Sequence, residues 1–269
     1  MSAHDIHSAF TSPAKIQMNC HDCTLSRLCL PGCLHHGEVG LLENIVKRNR
    51  PLHKGDHLFR AGEPMQQIYA LRSGALKTYL LDQDGNQQIT GFILPGELVG
   101  LDAFGNSNFP SYAEALETSL VCTIPLAELE ELAGYIPSLR KQLLATLSRE
   151  LHEGQQHYSH NRESAEQRLA VFLLNLSLRY GRRSLSSTSF ILSMSRSEIG
   201  NYLGLTTETV SRLFSRMRQQ GLLEIKGREL RLMHPAALRQ IGRSADRQNR
   251  GSTATDCLSS RLRKSSATL

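Results

Sequence analysis

The chain has 269 residues, of which 40% are hydrophobic and 21% are charged, and this composition excludes a disordered or collagen-like protein. The length predicts two domains and a connecting segment. No apolar run approaches the roughly 20 residues that span a bilayer, and polar residues occupy the start of the chain where a signal peptide is apolar, so we expect a cytoplasmic protein without a membrane partner.

Charge is distributed unevenly along the chain. The net charge is −5 over residues 1–160 and +11 over residues 161–269. A segregated positive field favours a polyanionic partner, most often nucleic acid, although charge alone says nothing about sequence specificity. We therefore expect the partner-binding surface in the C-terminal part.

The first predicted segment, residues 1–36, is rich in cysteine. Four of the six cysteines lie between Cys20 and Cys33, and in a reducing compartment this density favours a metal or redox role over a disulfide framework. An iron–sulfur cluster and a structural zinc ion both use such thiolates, and the spacing chooses neither the metal nor the ligands. A thiol–disulfide enzyme using Cys20 and Cys23 is a further alternative, but the βαβ surroundings of a thioredoxin-like motif are missing.

Residues 37–136 contain short apolar runs separated by turn signals. Runs such as Ile68–Leu71 and Leu76–Leu80 predict strands. Their spacing is typical of an antiparallel barrel or a double-sheet jelly roll, which we expect to end near Pro125.

Residues 137–160 are predicted to form one long helix that starts at Pro137. A leucine recurs every four residues, at Leu139, Leu143, Leu147 and Leu151. This stripe could pack on the barrel of its own protomer, but we favour a helix pair that makes the protein a homodimer. The predicted interface residues are Leu143, Leu147, Leu151 and Gly154, the last of which interrupts the pattern.

Residues 161–240 are predicted to form a winged helix-turn-helix. Ser195 and Glu198 form a capping box on the first helix of the motif, Gly204 allows a tight turn, and Thr206 caps the second helix. A hairpin over residues 222–232 would supply the wing. The remaining segment, 241–269, is basic and rich in serine, and we expect a disordered tail, for which we favour an inert role over nonspecific contact with DNA.

The second helix of the motif carries polar residues where a recognition helix meets DNA bases. These residues are Thr207, Glu208, Ser211 and Arg212. Arginine can donate two hydrogen bonds to guanine, and glutamate can accept one from cytosine. One turn further along, Arg216 is positioned to reach a phosphate. The expected partner is double-stranded DNA.

The helix-turn-helix run Glu198–Leu205, followed by Glu208–Arg212, is similar to that of the cyclic-AMP receptor and fumarate–nitrate reduction regulator superfamily. The resemblance to the oxygen-sensing, fumarate–nitrate reduction branch extends across Ala61–Cys122 and covers most of the chain from Cys20 to about Leu232. It implies an α+β fold with an N-terminal β jelly roll of the cyclic-nucleotide-binding type, a long dimerisation helix and a C-terminal winged helix-turn-helix.

The same resemblance implies a set of functional residues and partners. The metal ligands of a [4Fe–4S] cluster would be Cys20, Cys23, Cys29 and Cys122, whereas Cys33 departs from the family pattern as an extra thiol. Base reading falls on Glu208, Ser211 and Arg212, at a palindrome with TTGAT-like half-sites. Oxygen would degrade the cluster and release the dimer, and RNA polymerase is implied as a further partner. An apolar cover for the cluster, or local packing, would come from Leu28, Leu30 and Pro31.

Two alternatives are weighed against this interpretation. In the cyclic-nucleotide branch, an Arg-Ser-Ala-like run follows a Gly-Glu-Leu turn and binds the phosphate. This chain keeps Gly96-Glu97-Leu98 but has Phe109–Ala113 where the arginine should be, so we expect no cyclic nucleotide and interpret Gly96 and Glu97 as turn residues. The other alternative is a zinc-structured, redox-independent regulator.

Overall fold

The computed structural model describes residues 19–48, 50–159 and 163–242. In chain order the elements are α1 (His36–Ile45), β1 (Lys47–Arg48), β2 (His57–Phe59), β3 (Gln67–Ser73), β4 (Leu76–Leu81), β5 (Gln87–Ile93), β6 (Leu98–Val99), β7 (Tyr112–Ala115), β8 (Leu120–Pro125), α2 (Leu126–Tyr135), α3 (Pro137–Ser159), α4 (Ala165–Arg182), β9 (Ser189–Ile191), α5 (Arg196–Leu203), α6 (Thr207–Gln219), β10 (Leu223–Lys226), β11 (Glu229–Leu232) and α7 (Pro235–Gly242). The predicted tail lies outside the described residues, except that its first two residues belong to α7.

Strands β1 to β8 form the β-roll, which consists of two antiparallel sheets in the orders β1-β8-β3-β6 and β2-β7-β4-β5. The strands are short because turns with a glycine at positive φ separate them, as at Gly85 and Gly96. Apolar residues of both sheets fill the interior, including Phe59, Ile68 and Leu76. This architecture confirms the predicted α+β fold with an N-terminal jelly roll.

Helix α3 follows the β-roll and begins at the predicted residue, Pro137. Its leucine stripe has two different environments. Leu139 and Leu143 are buried in the core of their own protomer, Leu147 is half-buried, and Leu151 is 71% exposed. Helix α2 and the turn Leu30–Cys33 pack against α3. The first half of the stripe is thereby buried, and Leu143 has little surface left for a second chain.

Residues 163–242 form the winged helix-turn-helix, here called the DNA-binding domain. The capping box of Ser195 and Glu198 is present on α5, which ends at Gly204 in the left-handed conformation, and the Thr206 side chain caps α6. Strands β10 and β11 form the predicted hairpin. Strand β9, which the sequence analysis missed, adds a third strand to this sheet beside β11.

The β-roll and the DNA-binding domain share one apolar cluster. Tyr79, Ile89 and Phe92 of the β-roll pack together with Phe172 and Tyr202 of the DNA-binding domain. The two domains of a protomer are therefore in direct contact. Among the helices that the structure describes, none is long and apolar enough to cross a membrane.

Candidate metal centre and nucleic-acid interface

Four thiols line one cavity of about 40 Å³ between the N-terminal segment and the β-roll. They are Cys20, Cys23, Cys29 and Cys122. The first three lie on an irregular segment, residues 20–29, here called the cysteine loop, whereas Cys122 lies on β8 opposite Ala70 of β3. The structure therefore brings Cys122 together with side chains that lie 93 to 102 positions earlier in the sequence.

Close packing fixes the end of the cysteine loop. The Cys29 amide donates to the Leu25 carbonyl at 3.1 Å, and the Gly32 amide donates to the Cys29 carbonyl at 3.1 Å. A Cβ on Gly32 would lie only 2.6 Å from the Arg27 carbonyl oxygen, so no larger residue fits without moving the backbone. This glycine had no role in the sequence analysis.

The thiol cavity is largely apolar, and its surroundings disfavour thiolates that have no cation beside them. Burial raises the pKa of Cys29 to about 12 and that of Cys20 to about 11, and the other cysteines of the cavity raise both further. Burial likewise raises the pKa of Cys122, against the lowering effect of Arg72. A bound cationic group would remove this penalty, and sulfur ligands suit soft metals and iron–sulfur clusters.

The apolar residues around the thiols differ in part from the expected set. Leu30 and Pro31 line the cavity, as expected for a cover, whereas Leu28 does not and packs against Gly96. Cys33 lies outside the cavity lining, with its Sγ 3.2 Å from Gln142 Oε1. Within the described ranges, no three Cys, His, Asp or Glu side chains are arranged to hold a single metal ion.

Helix α6 has one buried and one open face. Val210, Leu213, Phe214 and Met217 are buried against the rest of the domain. The open face is a shallow surface lined by the polar residues Glu208, Ser211, Arg212, Ser215, Arg216 and Gln219. Four of the five predicted DNA-contacting residues lie on this surface, and the fifth, Thr207, is exposed at the start of the helix.

Short polar contacts order this open face. Arg212 Nη2 lies 2.6 Å from Glu208 Oε1, although both side chains are more than 70% exposed. The Ser211 hydroxyl donates to the Thr207 carbonyl, and Arg216 lies 3.9 Å from Glu166 of α4. Because exposed ion pairs add little stability, the Glu208–Arg212 contact mainly orients the two side chains.

The turn between α5 and α6 depends on a second glycine besides Gly204. This residue, Gly200, lies within the run Glu198–Leu205 and was given no role of its own in the sequence analysis. A Cβ on Gly200 would lie 2.6 Å from the Leu205 carbonyl oxygen, and the Leu205 amide donates to the Gly200 carbonyl at 2.8 Å. From α4, Arg168 Nη1 donates to the Leu203 carbonyl at 2.6 Å. A small residue just before a predicted tight turn was the signal for this close approach.

The β-roll holds α5 directly through polar groups. Asn201 Oδ1 accepts from the Ile89 amide and its Nδ2 donates to the Gln87 carbonyl, both at 2.6 Å, so this side chain pairs with the edge strand β5. The buried Lys77 ammonium contacts Glu198 at 3.3 Å, and the same carboxylate caps α5. The start of the helix-turn-helix is thereby fixed to the β-roll.

Comparison with known proteins supports the same organisation. Two family models match, the cyclic nucleotide-binding domain over residues 49–134 and the Crp-like helix-turn-helix domain over residues 167–241. The chain is 48% identical to the transcriptional activator protein FnrA of Stutzerimonas stutzeri, over 84% of this chain and 93% of that protein. It is 44% identical to the fumarate and nitrate reduction regulatory protein of Escherichia coli K12, over 83% and 90% respectively.

A solved structure shares the architecture. FixK2 from Bradyrhizobium japonicum superposes with a TM-score of 0.66 at 32% identity, over 73% of this chain and 97% of that one. With identities well above 30% over most of the curated relatives' length, the resemblance seen in the motifs extends to the whole fold. The chain therefore belongs to the fumarate and nitrate reduction regulator branch of the CRP/FNR superfamily, and it is a DNA-binding transcription regulator rather than an enzyme.

Proposed function

We propose that this protein is an oxygen-responsive regulator that binds a [4Fe–4S] cluster through Cys20, Cys23, Cys29 and Cys122. The observation that carries the proposal is the meeting of these four thiols in one apolar cavity, in a chain that also presents an open recognition helix. The names of the relatives, an activator and a fumarate and nitrate reduction regulator, support a role as an activator of anaerobic metabolism. In that role the protein would act with RNA polymerase.

The donor set fits the group. A cluster takes one thiolate per iron, so its ligands surround it and need not converge on one point. When bound, the cluster supplies the positive charge that keeps the thiolates ionised and a centre that reacts with oxygen. The protein's own contribution is to hold three ligands on the cysteine loop and one on the rigid strand β8, under an apolar cover that includes Leu30.

The proposed dimer uses the uncovered part of α3. Leu144 and Leu151 are 61% and 71% exposed, Leu147 is half-buried, and a Cβ on Gly154 would meet nothing within 4 Å. A second copy of the helix would cover this face. Two-fold pairing would then place two recognition helices about one DNA turn apart, which fits a palindrome with TTGAT-like half-sites.

The β-roll supports the proposal that no cyclic nucleotide is bound. In the Gly96-Glu97-Leu98 turn, the Glu97 carboxylate is already paired with Arg179 of α4 and with Arg183, the residue that follows the end of α4. The Ser111 hydroxyl, in the run that departs from the phosphate-binding pattern, donates to the Asp102 carboxylate. The polar groups at these two positions are therefore used within the chain.

Anaerobic purification with iron, sulfide and zinc analysis tests the cofactor. We expect about four irons and four sulfides per chain with the brown colour of a cluster. Serine at any of the four cavity cysteines should abolish the colour, whereas Cys33→Ser should retain it because Cys33 does not line the cavity. Stoichiometric zinc without sulfide would overturn the proposal in favour of the zinc-structured regulator.

A further inference from the structure

The turn Leu94–Glu97, between β5 and β6, is held tightly to the β-roll. The Gly96 amide donates to the Leu71 carbonyl at 2.7 Å, and the Leu94 amide donates to the Glu97 carboxylate at 2.9 Å. Gly96 has a φ of +90°, a conformation that side chains rarely adopt. These hydrogen bonds and the backbone conformation of Gly96 therefore restrict movement of the turn relative to the β-roll.

The cysteine loop packs on this turn. A Cβ on Gly96 would lie 3.0 Å from Leu28 Cβ and 3.7 Å from Leu25 Cβ. Leu28 directly precedes the proposed ligand Cys29, and Leu25 lines the thiol cavity. A displacement of the loop would therefore move the side chains that rest on Gly96.

The same turn binds the DNA-binding domain through ion pairs and hydrogen bonds. Glu97 Oε1 accepts from Arg179 Nε at 2.9 Å and from Arg183 Nη2 at 2.6 Å, and Arg183 Nε donates to the Pro95 carbonyl at 2.7 Å. The Arg183 side chain is only 3% exposed, so its guanidinium has no water to replace a lost carboxylate. Movement of the turn would leave a buried charge unpaired and would favour release of α4.

Helix α4 extends this connection to the recognition helix. Its Arg168 donates to the Leu203 carbonyl at the end of α5, where the turn that leads to α6 begins at Gly204. A continuous series of contacts thus runs from the cysteine loop through the turn and α4 to the DNA-reading surface, within a single protomer.

We propose that the Leu94–Glu97 turn couples the state of the cysteine loop to the docking of the DNA-binding domain, with Glu97 as the positioning residue. This inference rests on the proposed cluster and adds a route that does not require pairing of two α3 helices. Loss of the cluster releases the loop, and the turn then loosens its hold on Arg179 and Arg183. Helix α4 is the element with two states: docked on the Leu94–Glu97 turn, or released from it.

Hydrogen exchange of the α4 amides, followed by mass spectrometry, tests this route. Two samples of the full-length protein are compared: one that contains the cluster, and one that has lost it through air exposure and whose thiols have then been reduced. Both carry the Leu151→Glu substitution, so we expect both to be monomeric. We expect α4 exchange to increase about tenfold on cluster loss. Glu97→Gln should raise α4 exchange with the cluster present, abolish its further response, and leave the cluster absorbance unchanged.

The matched control is Glu117→Gln. Glu117 also pairs with an arginine of the DNA-binding domain, Arg228, at 2.9 Å, but it lies outside the turn. In the Glu117→Gln variant, hydrogen exchange of α4 should increase on loss of the cluster as it does in the parent protein. Leu28→Ala tests the contact on the loop side and should weaken the response without removing the Glu97 ion pairs.

Iron and sulfide analysis of the same samples separates the two proposals. If the cluster is present but its loss leaves α4 exchange unchanged, the coupling is wrong while the proposed function stands. If no iron or sulfide is found, the proposed function fails, and the coupling is judged from Leu28→Ala against the parent. Equal α4 exchange in these two proteins would then overturn it.

Discussion

The thiol cavity and the recognition helix are assembled in opposite ways. The cavity combines a loop near the N-terminus with one strand of the β-roll, and its four thiols are half-buried. The open face of α6, the proposed recognition surface, comes from consecutive turns of one helix, and its charged side chains are exposed. A change in the cavity should therefore act on the cofactor in an all-or-none manner, whereas a change on α6 should act on one DNA contact at a time.

The largest expected effect is at β8. Cys122→Ser should eliminate the cluster absorbance and reduce specific DNA binding to the level of cluster-free protein, because one thiolate is lost from a set of four. Thermal unfolding of the cluster-free proteins should differ by less than about 1 kcal/mol, since a small half-buried side chain is exchanged for another. Anaerobic absorbance spectra and DNA titrations check this. A Cys122→Ser protein with full cluster absorbance would contradict the all-or-none behaviour expected of the cavity.

The next effect concerns α3. Leu151→Glu should abolish the dimer, raising its dissociation constant at least about 100-fold, because two carboxylates would be desolvated at the paired helices. The side chain is 71% exposed in the protomer, so the fold itself should tolerate the change. Leu143→Ala provides the contrast: Leu143 is buried, and its truncation should cost about 2–5 kcal/mol of protomer stability. Anaerobic sedimentation showing Leu151→Glu fully dimeric would contradict the interface.

The junction between the domains should respond to pH. Burial alone would raise the pKa of Glu97, but Arg179 and Arg183 outweigh it and hold this pKa below its ordinary value of 4.5. A carboxylate whose pKa is lowered in the folded state stabilises the fold at pH values above its ordinary pKa. That stability is lost as the pH falls through the lowered pKa. Relative to Glu97→Gln, the wild type should be more stable by about 1.5–3 kcal/mol at neutral pH, and this difference should shrink below about pH 4. A constant difference from pH 7 to 3 would exclude the ion pairs as its source.

The two regions also differ in how far the sequence could predict them. The helix-turn-helix was predictable because its signals are local: the cap at Ser195, the turn at Gly204 and the apolar spacing all act within a few residues. The four thiols required the family resemblance, because spacing could not pair Cys122 with the loop. The contact between Glu97 and Arg179, 82 positions apart, left no local pattern, and Glu97 was interpreted as a turn residue only.

The leucine stripe shows the same limit within one helix. Leu143 and Leu151 occupy equivalent positions of a four-residue repeat, and their surroundings differ because the elements packed on α3, α2 and the turn Leu30–Cys33, bury Leu143 and leave Leu151 exposed. Periodicity identifies an apolar face but does not specify which neighbour covers each part of it. The requirement for glycine at positions 32, 96 and 200 was equally hidden from the sequence, because in each case an atom from another segment or turn approaches too closely for a side chain to fit.

A smaller effect distinguishes base reading from charge on α6. Arg212→Ala should cost about 1–3 kcal/mol of binding to TTGAT-type palindromes and relax preference at one base pair per half-site. Arg216→Ala is the matched control: as a phosphate contact, it should weaken all sequences alike and reduce the salt dependence of binding. Titrations of single-base variants across a salt series check both. Equal sequence preference in Arg212→Ala and wild type would remove the base-reading role.

The smallest effect on the fold, and the sharpest test of the comparison, is at Glu208. Its contact with Arg212 is exposed and lies within one helix, so Glu208→Ala should change the free energy of unfolding by about 0.5 kcal/mol or less. Removing a negative charge from a DNA-facing surface should strengthen binding to nonspecific DNA. If Glu208 also accepts from cytosine N4, the variant should at the same time discriminate less well among single-base variants of the palindrome. The same salt series and a thermal unfolding curve measure all three quantities. Unchanged discrimination would show that Glu208 reads no base, and a loss of more than about 1 kcal/mol in stability would show that this surface contributes to the stability of the fold.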